Sequence, residues 1–453
     1  LKISTSYLAA EEIGVFYLLI SILSYFSLTL ISPIGNFINR NVHKWISEGS
    51  ILTNLGVYNK YLLLISIASI PIVYIAQNFL GILTQIDTIY LLGSISVGIY
   101  FTTLNTLFSP TLNLLNHRVA FVVFGNLTIL FNILFSFILI TIFESTGFWW
   151  FLGQIASHIL FTIVSGIYFI KVVKSKIINL PKMKTKSVDF KSVISFALPL
   201  SLATLFLWVT NESYRFFIEK YLTLNYLGLL AVGIAVSTKI STAVETLLHQ
   251  LLHPKFYNDI NTIDKSTRGE AWNSFFNLSL PSYISVTFFI SFLSPFLLRL
   301  LAGESFYNAW DFLIYGAILN LIRMITNHVA LIAHTELETK SLILPGFISA
   351  ITSITFIQFS VLHSNYYYLV PISLLIGAAA GMLAMIFQMN KRINIKVKVS
   401  NVLLPCMLSL VYFASIPFYK EELTLLYSIS VIGGFGVIFI LTQLFIFKRN
   451  KII

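Results

Sequence analysis

Thirteen apolar runs, each about 20 residues or longer, which is enough to cross a bilayer as a helix, follow one another along almost the whole chain. They lie near 13–36, 58–83, 88–112, 120–143, 148–170, 193–218, 225–252, 272–298, 307–333, 341–362, 367–390, 401–419 and 423–446. A backbone in hydrocarbon must satisfy its own hydrogen bonds, which leaves helices or closed barrels. Barrel strands read as short alternating segments, so these long runs predict an all-α polytopic membrane protein. Only 10% of residues are charged and the mean hydropathy is +0.85; soluble domains carry roughly 25% charged residues. No polar stretch is long enough for a separate soluble domain.

The net charge of +11 invites a nucleic-acid reading. The placement of the charge argues against nucleic acid as a partner. Lys and Arg collect in alternate connections. One set holds Arg40, Lys44 and Lys60, then Arg118, the 171–191 cluster, Lys255, Lys265 and Arg268. It continues with Lys340, then Lys391, Arg392, Lys396 and Lys398, then Lys448, Arg449 and Lys451. The other set holds Lys2, Lys220, Arg299 and Lys420, so the partition is 22 to 4. By the positive-inside rule the first set is cytoplasmic. The C-terminus is then cytoplasmic and Leu1 is outside. A missed span would scramble the alternation.

Tyr7-Leu8-Ala9-Ala10-Glu11-Glu12-Ile13-Gly14 recurs as Tyr221-Leu222-Thr223-Leu224-Asn225-Tyr226-Leu227-Gly228. Both copies open into a long apolar run, but only the second follows one. If they mark equivalent points, a helix precedes the first copy and the full set is fourteen spans, thirteen of them present. The copies are then six spans apart, and an even offset keeps orientation. Two parallel repeats result, related by an axis along the membrane normal, a plan used by many transporters. The expected layout is an N-terminal lobe over 1–170, a basic linker over 171–192, a C-terminal lobe over 193–390 and two accessory helices over 391–453. The 171–191 loop reads either as an anionic-lipid contact or as a topology signal and hinge.

Six ionisable groups fall inside spans: Glu212, Arg215, Lys239, Glu245, Asp311 and Arg323. Such groups are costly in hydrocarbon and usually face a bundle interior or a watery cavity. Residues four apart share a helix face. Ser237, Ser241, Glu245, His249 and His253 make one polar stripe, and Asn320, Arg323 and Asn327 another. Thr102, Thr106, Ser109, Asn113 and Asn116 line a third helix; Gln154, His158, Thr162 and Ser165 line a fourth; Ser32, Asn36 and Arg40 do so early in the chain. Each stripe reads as cavity lining or as interhelical hydrogen bonding. The sole cysteine, Cys406, allows no intrachain disulfide or Cys-based metal cage. A P-loop, Asp-x-Asp and His-Glu-x-x-His are absent from the sequence, so no cofactor, metal site or enzymatic activity is expected.

The chain resembles the polysaccharide-lipid flippases, the O-antigen type, within the multidrug/oligosaccharidyl-lipid/polysaccharide exporter (MOP) superfamily. Tyr7–Gly14 is similar to the family's Leu-Gly-Pro-Glu-x-Phe/Tyr-Gly turn, with Ala9-Ala10 in place of Gly-Pro. Phe196-Ala197-Leu198-Pro199-Leu200 is similar to its Tyr/Phe-Ala-x-Pro-Leu start of span seven. Tyr214-Arg215, then Tyr221-Leu222 and Gly228, resembles Asp-Arg followed by Leu-Gly and Gly, with Tyr214 where the family has Asp. Gly303 to Trp310 resembles its Gly-x-x-Tyr-x-x-Ala turn.

The resemblance implies two six-helix lobes plus two accessory helices. The implied activity is flipping of an undecaprenyl-diphosphate-linked oligosaccharide across a bacterial inner membrane, for surface polysaccharide assembly. Membrane lipids and other polysaccharide-assembly proteins are the further partners implied. Arg323, Lys239, Arg215, Arg40, Asn320 and Asn327 are then candidates for substrate binding. Glu245, Asp311, Glu212 and His249 are candidates for ion coupling or charge pairing. A multidrug or organic-cation exporter of the same superfamily is the alternative, and a membrane polysaccharide polymerase or ligase is the enzymatic one.

Overall fold

A computed structural model describes residues 1–177, 190–262, 268–336, 338–420 and 423–449. The basic linker expected over 171–192 lies largely outside the described residues. The described residues hold helices and no strands. After a short helix α1 (Lys2–Tyr7) come thirteen helices of membrane-crossing length and apolarity. They are α2 (Ala10–Ser47), α3 (Ile51–Leu80), α4 (Thr88–Leu114), α5 (Arg118–Ile142), α6 (Gly147–Ile177) and α7 (Lys191–Tyr221). Then follow α8 (Leu224–Ile260), α9 (Arg268–Phe292), α10 (Glu304–Thr335), α11 (Thr339–Val361), α12 (Tyr366–Asn390), α13 (Ser400–Phe418) and α14 (Leu425–Arg449). The sequence runs and the helices coincide one for one. Several helices outrun their apolar cores: α2 and α8 continue through polar turns, because a helix that has nucleated adds residues at little cost.

The helices form two compact units. The amino-terminal unit is Glu12–Trp208 with Ile218–Lys220; the carboxy-terminal unit is Leu1–Glu11, Val209–Phe217 and Tyr221–Ile453. In the amino-terminal unit α5 and the first part of α7 are the least buried helices, and Ile129 and Leu130 of α5 are exposed. An apolar face without a protein partner suits lipid. In the carboxy-terminal unit α9 is the central helix, with 78% of its window buried; Trp272 and Tyr283 lie inside it. The accessory helices α13 and α14 pack on α9, where Ser415 Oγ donates to the Phe292 carbonyl at 2.9 Å.

Helix pairs close on small residues. In the amino-terminal unit a Cβ on Gly153 of α6 would stand 2.3 Å from the Ser136 backbone of α5, and Ser136 Oγ donates to the Trp150 carbonyl at 2.7 Å. In the carboxy-terminal unit a Cβ on Gly377 of α12 would stand 1.9 Å from Ser353 Oγ of α11, and Ser349 Oγ donates to the Gly377 carbonyl at 2.9 Å. Lipid tails are as apolar as Leu, so close backbone approach and interhelical hydrogen bonds hold membrane helices together. The two copies of the repeated stretch also meet: Gly228 leaves room for the Ala10 carbonyl, from which a Cβ would stand 1.8 Å.

Two irregularities mark the amino-terminal unit. Pro33 has no N–H for the Thr29 carbonyl, and α2 takes a π turn over Ser27–Ile31, closed by Ser32 N–H on the Ser27 carbonyl. Leu83 adopts a left-handed φ of 52°, which is strained for a bulky side chain. Its N–H donates to Glu219 Oε1 at 2.6 Å, and Gln77 Nε2 donates to the Leu83 and Ile86 carbonyls at 3.1 and 2.8 Å. These side chains hold a conformation the backbone alone disfavours.

Candidate functional site

The six ionisable groups expected inside spans all belong to the carboxy-terminal unit. The tightest group forms where α7 breaks. The helix stops at Glu212 and restarts at Tyr214, and Ser213 Oγ turns back to the Val209 carbonyl. Glu212 and Arg215 flank the break and form an ion pair. Arg215 is only 9% exposed and Tyr214 1%. Arg215 Nε donates to Tyr214 Oη at 3.4 Å, and the guanidinium lies 5.6 Å from the Tyr214 ring centre. Tyr214 stands where the resembled family has Asp; here it supplies a π face and a hydroxyl to the arginine in place of a charge.

Arg323 of α10 comes within electrostatic range of Glu212, Tyr214 and Arg215. Its Nε is buried and has no hydrogen-bond partner among the described residues. Two guanidinium groups and one carboxylate therefore share this region. A buried donor without a partner is costly, and a guanidinium presents its donors in a planar fork suited to phosphate or carboxylate.

One turn from Arg323, Asn320 is buried and engaged. Its Nδ2 donates to Ser237 Oγ at 3.0 Å, Thr238 Oγ1 at 3.1 Å and the Gly316 carbonyl at 2.7 Å. Gly316 permits this, because a Cβ there would stand 2.3 Å from Ser237 Oγ. Asn320 thus clamps α8 to α10 and fixes the turn from which Arg323 projects. Asn327 on the same stripe is exposed. Lys239 is also exposed and joins no ion pair among the described residues.

The acids separate. Asp311 accepts from Tyr367 Oη at 3.3 Å and from the Phe312 N–H at 2.9 Å. Tyr226, Phe312 and Tyr367 pack beside it, with ring centres 4.7 to 5.8 Å apart. Glu245 is half-buried on α8, joins no ion pair among the described residues and lies within electrostatic range of Tyr283. One turn further on, His249 and His253 stack with ring centres 4.2 Å apart. His328 of α10 joins them, 6.3 Å from His249 and 4.2 Å from Phe275, with Tyr283 Oη 3.4 Å from its Nδ1. The Nε2 atoms of His253 and His328 are buried without hydrogen-bond partners among the described residues. No group of three or more His, Cys, Asp or Glu side chains among the described residues is arranged to hold a metal. His328 and Tyr283 were not singled out from sequence. The line Asn320–Met324–His328, at intervals of four on α10, was the signal available for His328.

The cavity of the amino-terminal unit is lined by neutral groups. Ser27, Thr102, Thr106, Gln154 and His158 line a cavity of ≈ 250 Å³ beside the π turn of α2. Thr162 of that stripe ties helices, its Oγ1 donating to the Phe101 carbonyl at 2.8 Å, while Ser165 Oγ turns back to the Phe161 carbonyl of its own helix; next to the stripe, Ser157 Oγ donates to the Thr128 carbonyl at 3.0 Å. Arg40 belongs to this unit, where its guanidinium sits 4.8 Å from the Phe196 ring centre.

No family model and no curated protein matches the chain. Solved structures do. An inward-facing multidrug resistance MATE family transporter of the MOP superfamily superposes with a TM-score of 0.62 at 13% identity, covering 91% of this chain and 94% of that one. The lipid II flippase MurJ in an inward closed conformation superposes with a TM-score of 0.62 at 16% identity, covering 98% of each chain. The all-helical fold is therefore the one these MOP proteins have.

Proposed function

We propose that this chain is a transporter that moves an undecaprenyl-diphosphate-linked oligosaccharide across a bacterial inner membrane by alternating access, for surface polysaccharide assembly. The observation that carries the reading is that Arg323 lies within electrostatic range of the buried Arg215 and Glu212, inside a membrane protein that holds few charges. Arg215 is buried against Tyr214 and Glu212, and Arg323 keeps a buried Nε without a hydrogen-bond partner among the described residues. A diphosphate offers several acceptor oxygens to such a pair, and charge-assisted hydrogen bonds to guanidinium are the strong ones. The fold shared with a lipid flippase supports the same class of cargo. In this reading Arg323 and Arg215 hold the diphosphate, Asn320 positions Arg323, and Lys239, Asn327 and Arg40 attract or guide the anionic headgroup. Glu212 orients Arg215, while Glu245, His249 and Asp311 are the groups open to ion coupling. The C-terminus faces the cytoplasm, following the basic loops.

Export of an organic cation is the second reading. It is favoured by Glu245, a half-buried carboxylate near Tyr283 that joins no ion pair among the described residues, and by the MATE-like fold. Proteoliposomes separate the two. A fluorescent lipid-diphosphate oligosaccharide is placed in one leaflet and its appearance in the other is followed; uptake of a lipophilic cation is assayed in parallel. The flippase reading expects the first to depend on Arg323 and the second to be absent. Cation uptake that depends on Glu245, with no lipid movement, selects the second reading.

A further inference from the structure

We propose that the cavity between α9 and the segment joining α12 to α13 binds the phosphate of an anionic phospholipid headgroup. The segment runs Lys391-Arg392-Ile393-Asn394-Ile395-Lys396-Val397-Lys398-Val399, with basic and apolar residues alternating in its second half. Two amides one turn apart on α9 hold it extended. Asn273 Nδ2 donates to the Asn394 carbonyl at 2.9 Å, and Asn273 Oδ1 accepts the Lys396 N–H at 2.7 Å. Asn277 repeats the pattern two residues on, donating to the Lys396 carbonyl at 2.7 Å and accepting the Lys398 N–H at 2.8 Å. Asn401 at the start of α13 donates to the Asn277 carbonyl at 2.8 Å. The amides thus do for this segment what a neighbouring strand would do, and its geometry is fixed without a sheet.

In an extended segment successive side chains point to opposite sides. Asn394, Lys396 and Lys398 line a cavity of ≈ 640 Å³, and Ile395 and Val397 do not. Arg392 and Glu270 also line it. Arg392 is paired with Glu338, whereas Lys396 and Lys398 join no ion pair among the described residues. The asparagine amides are committed to the backbone of the segment, so the charge the cavity offers a ligand is two ammonium groups against the single Glu270 carboxylate, with Arg392 already paired to Glu338, and that positive balance suits an anion.

The opposite side of the segment identifies which anion. Val397 is 46% exposed and Val399 69%, and Leu403 and Met407 continue the apolar surface along α13. Apolar side chains beside lysines that reach the other way are the pattern of a segment seated at the membrane interface, with ammonium groups at phosphate level. A soluble phosphate would have no use for that apolar side; a phospholipid would meet both.

The test uses full-length protein in a neutral detergent. Binding of a short-chain phosphatidylglycerol is compared for the wild type, K396Q/K398Q, K396R/K398R and K340Q. A lysine near an anionic surface contributes about fivefold in affinity, so K396Q/K398Q binds about thirtyfold more weakly. K396R/K398R stays within about threefold of the wild type, K340Q does not change, and short-chain phosphatidylcholine shows no such dependence. Equal binding by K396Q/K398Q and the wild type, at equal melting temperature, overturns the proposal. So does displacement of the lipid by glycerol 3-phosphate at concentrations matching the lipid's own affinity, which would make the cavity a site for soluble anions.

Discussion

In the amino-terminal unit Gly153 lets α6 ride on Ser136 of α5; in the carboxy-terminal unit Gly377 lets α12 ride on Ser353 of α11. The two pairs are six spans apart, the offset expected from the repeated Tyr-Leu stretch. Yet the interiors differ. One unit encloses hydroxyls, an amide and an imidazole around a small cavity. The other carries Glu212, Arg215 and Arg323 together, with Asp311, Glu245 and three histidines further along α8 and α10. The first unit is therefore packed in this fold around a neutral cavity with no buried arginine among the described residues, so cohesion alone does not account for the arginines of the second unit. Buried ion pairs are in any case weak sources of stability, because desolvation offsets much of their attraction.

The shared packing is broken most severely at its glycines. Gly153→Leu and Gly377→Leu should each cost about 3 kcal/mol or more, since a side chain there meets backbone or a buried serine. Yield of monodisperse protein in detergent should collapse for both; collapse of only one would mean that the units are not built alike.

Arg215→Ala removes the close partner of Glu212 and the buried arginine's contact with Tyr214, and should destabilise by about 3 kcal/mol, the range for breaking one side of a buried pair. The double change Glu212→Gln/Arg215→Gln should recover most of the melting temperature but not transport. Recovery of both would make the pair structural. Asn320→Leu removes an interhelical clamp. Such bonds are worth about 0.6 kcal/mol each, so the melting temperature should fall by a few degrees, while transport falls about tenfold because Arg323 loses its anchored turn. Unchanged transport would detach Asn320 from the site.

The smallest effect concerns an exposed pair. The hydrogen bond from Arg392, reinforced by its charge, holds the Glu338 carboxyl below the usual carboxylate range. A depressed pKa stabilises above the unfolded value and loses that contribution as pH falls through the folded one. Glu338→Gln should therefore lower stability slightly near neutrality and leave it unchanged in strong acid, as followed by thermal melts against pH. A difference that grows toward acid pH would contradict the pairing.

Helix existence was legible because each span is a long apolar run and each connection carries its own charge signature. The Glu212–Arg215 pair was legible from its spacing on one turn. What spacing could not supply is which neighbouring helix a stripe meets. Asn320 shares a stripe with Arg323 and reads as a ligand group, yet it faces Ser237 and Thr238 and holds two helices together. Lys239 and Glu245 lie six residues apart on α8, and a six-residue step on a helix puts them on different faces. The four-residue spacing puts His328 on the Asn320 face of α10, but its meeting with His249 depends on the packing of α10 on α8, which no local spacing shows.

The most direct test of the account is leaflet-to-leaflet transfer of the lipid-diphosphate oligosaccharide by Arg323→Ala, set beside Thr102→Ala and His158→Ala from the neutral cavity. A hydrogen bond to a charged group is worth about 1.5–3 kcal/mol, so Arg323→Ala should slow transfer by about 10–100-fold at normal expression and melting temperature, and the amino-terminal variants by less than about threefold. Wild-type transfer by Arg323→Ala, or an equal loss from His158→Ala, would contradict the claim that the arginine pair of the carboxy-terminal unit holds the phosphate.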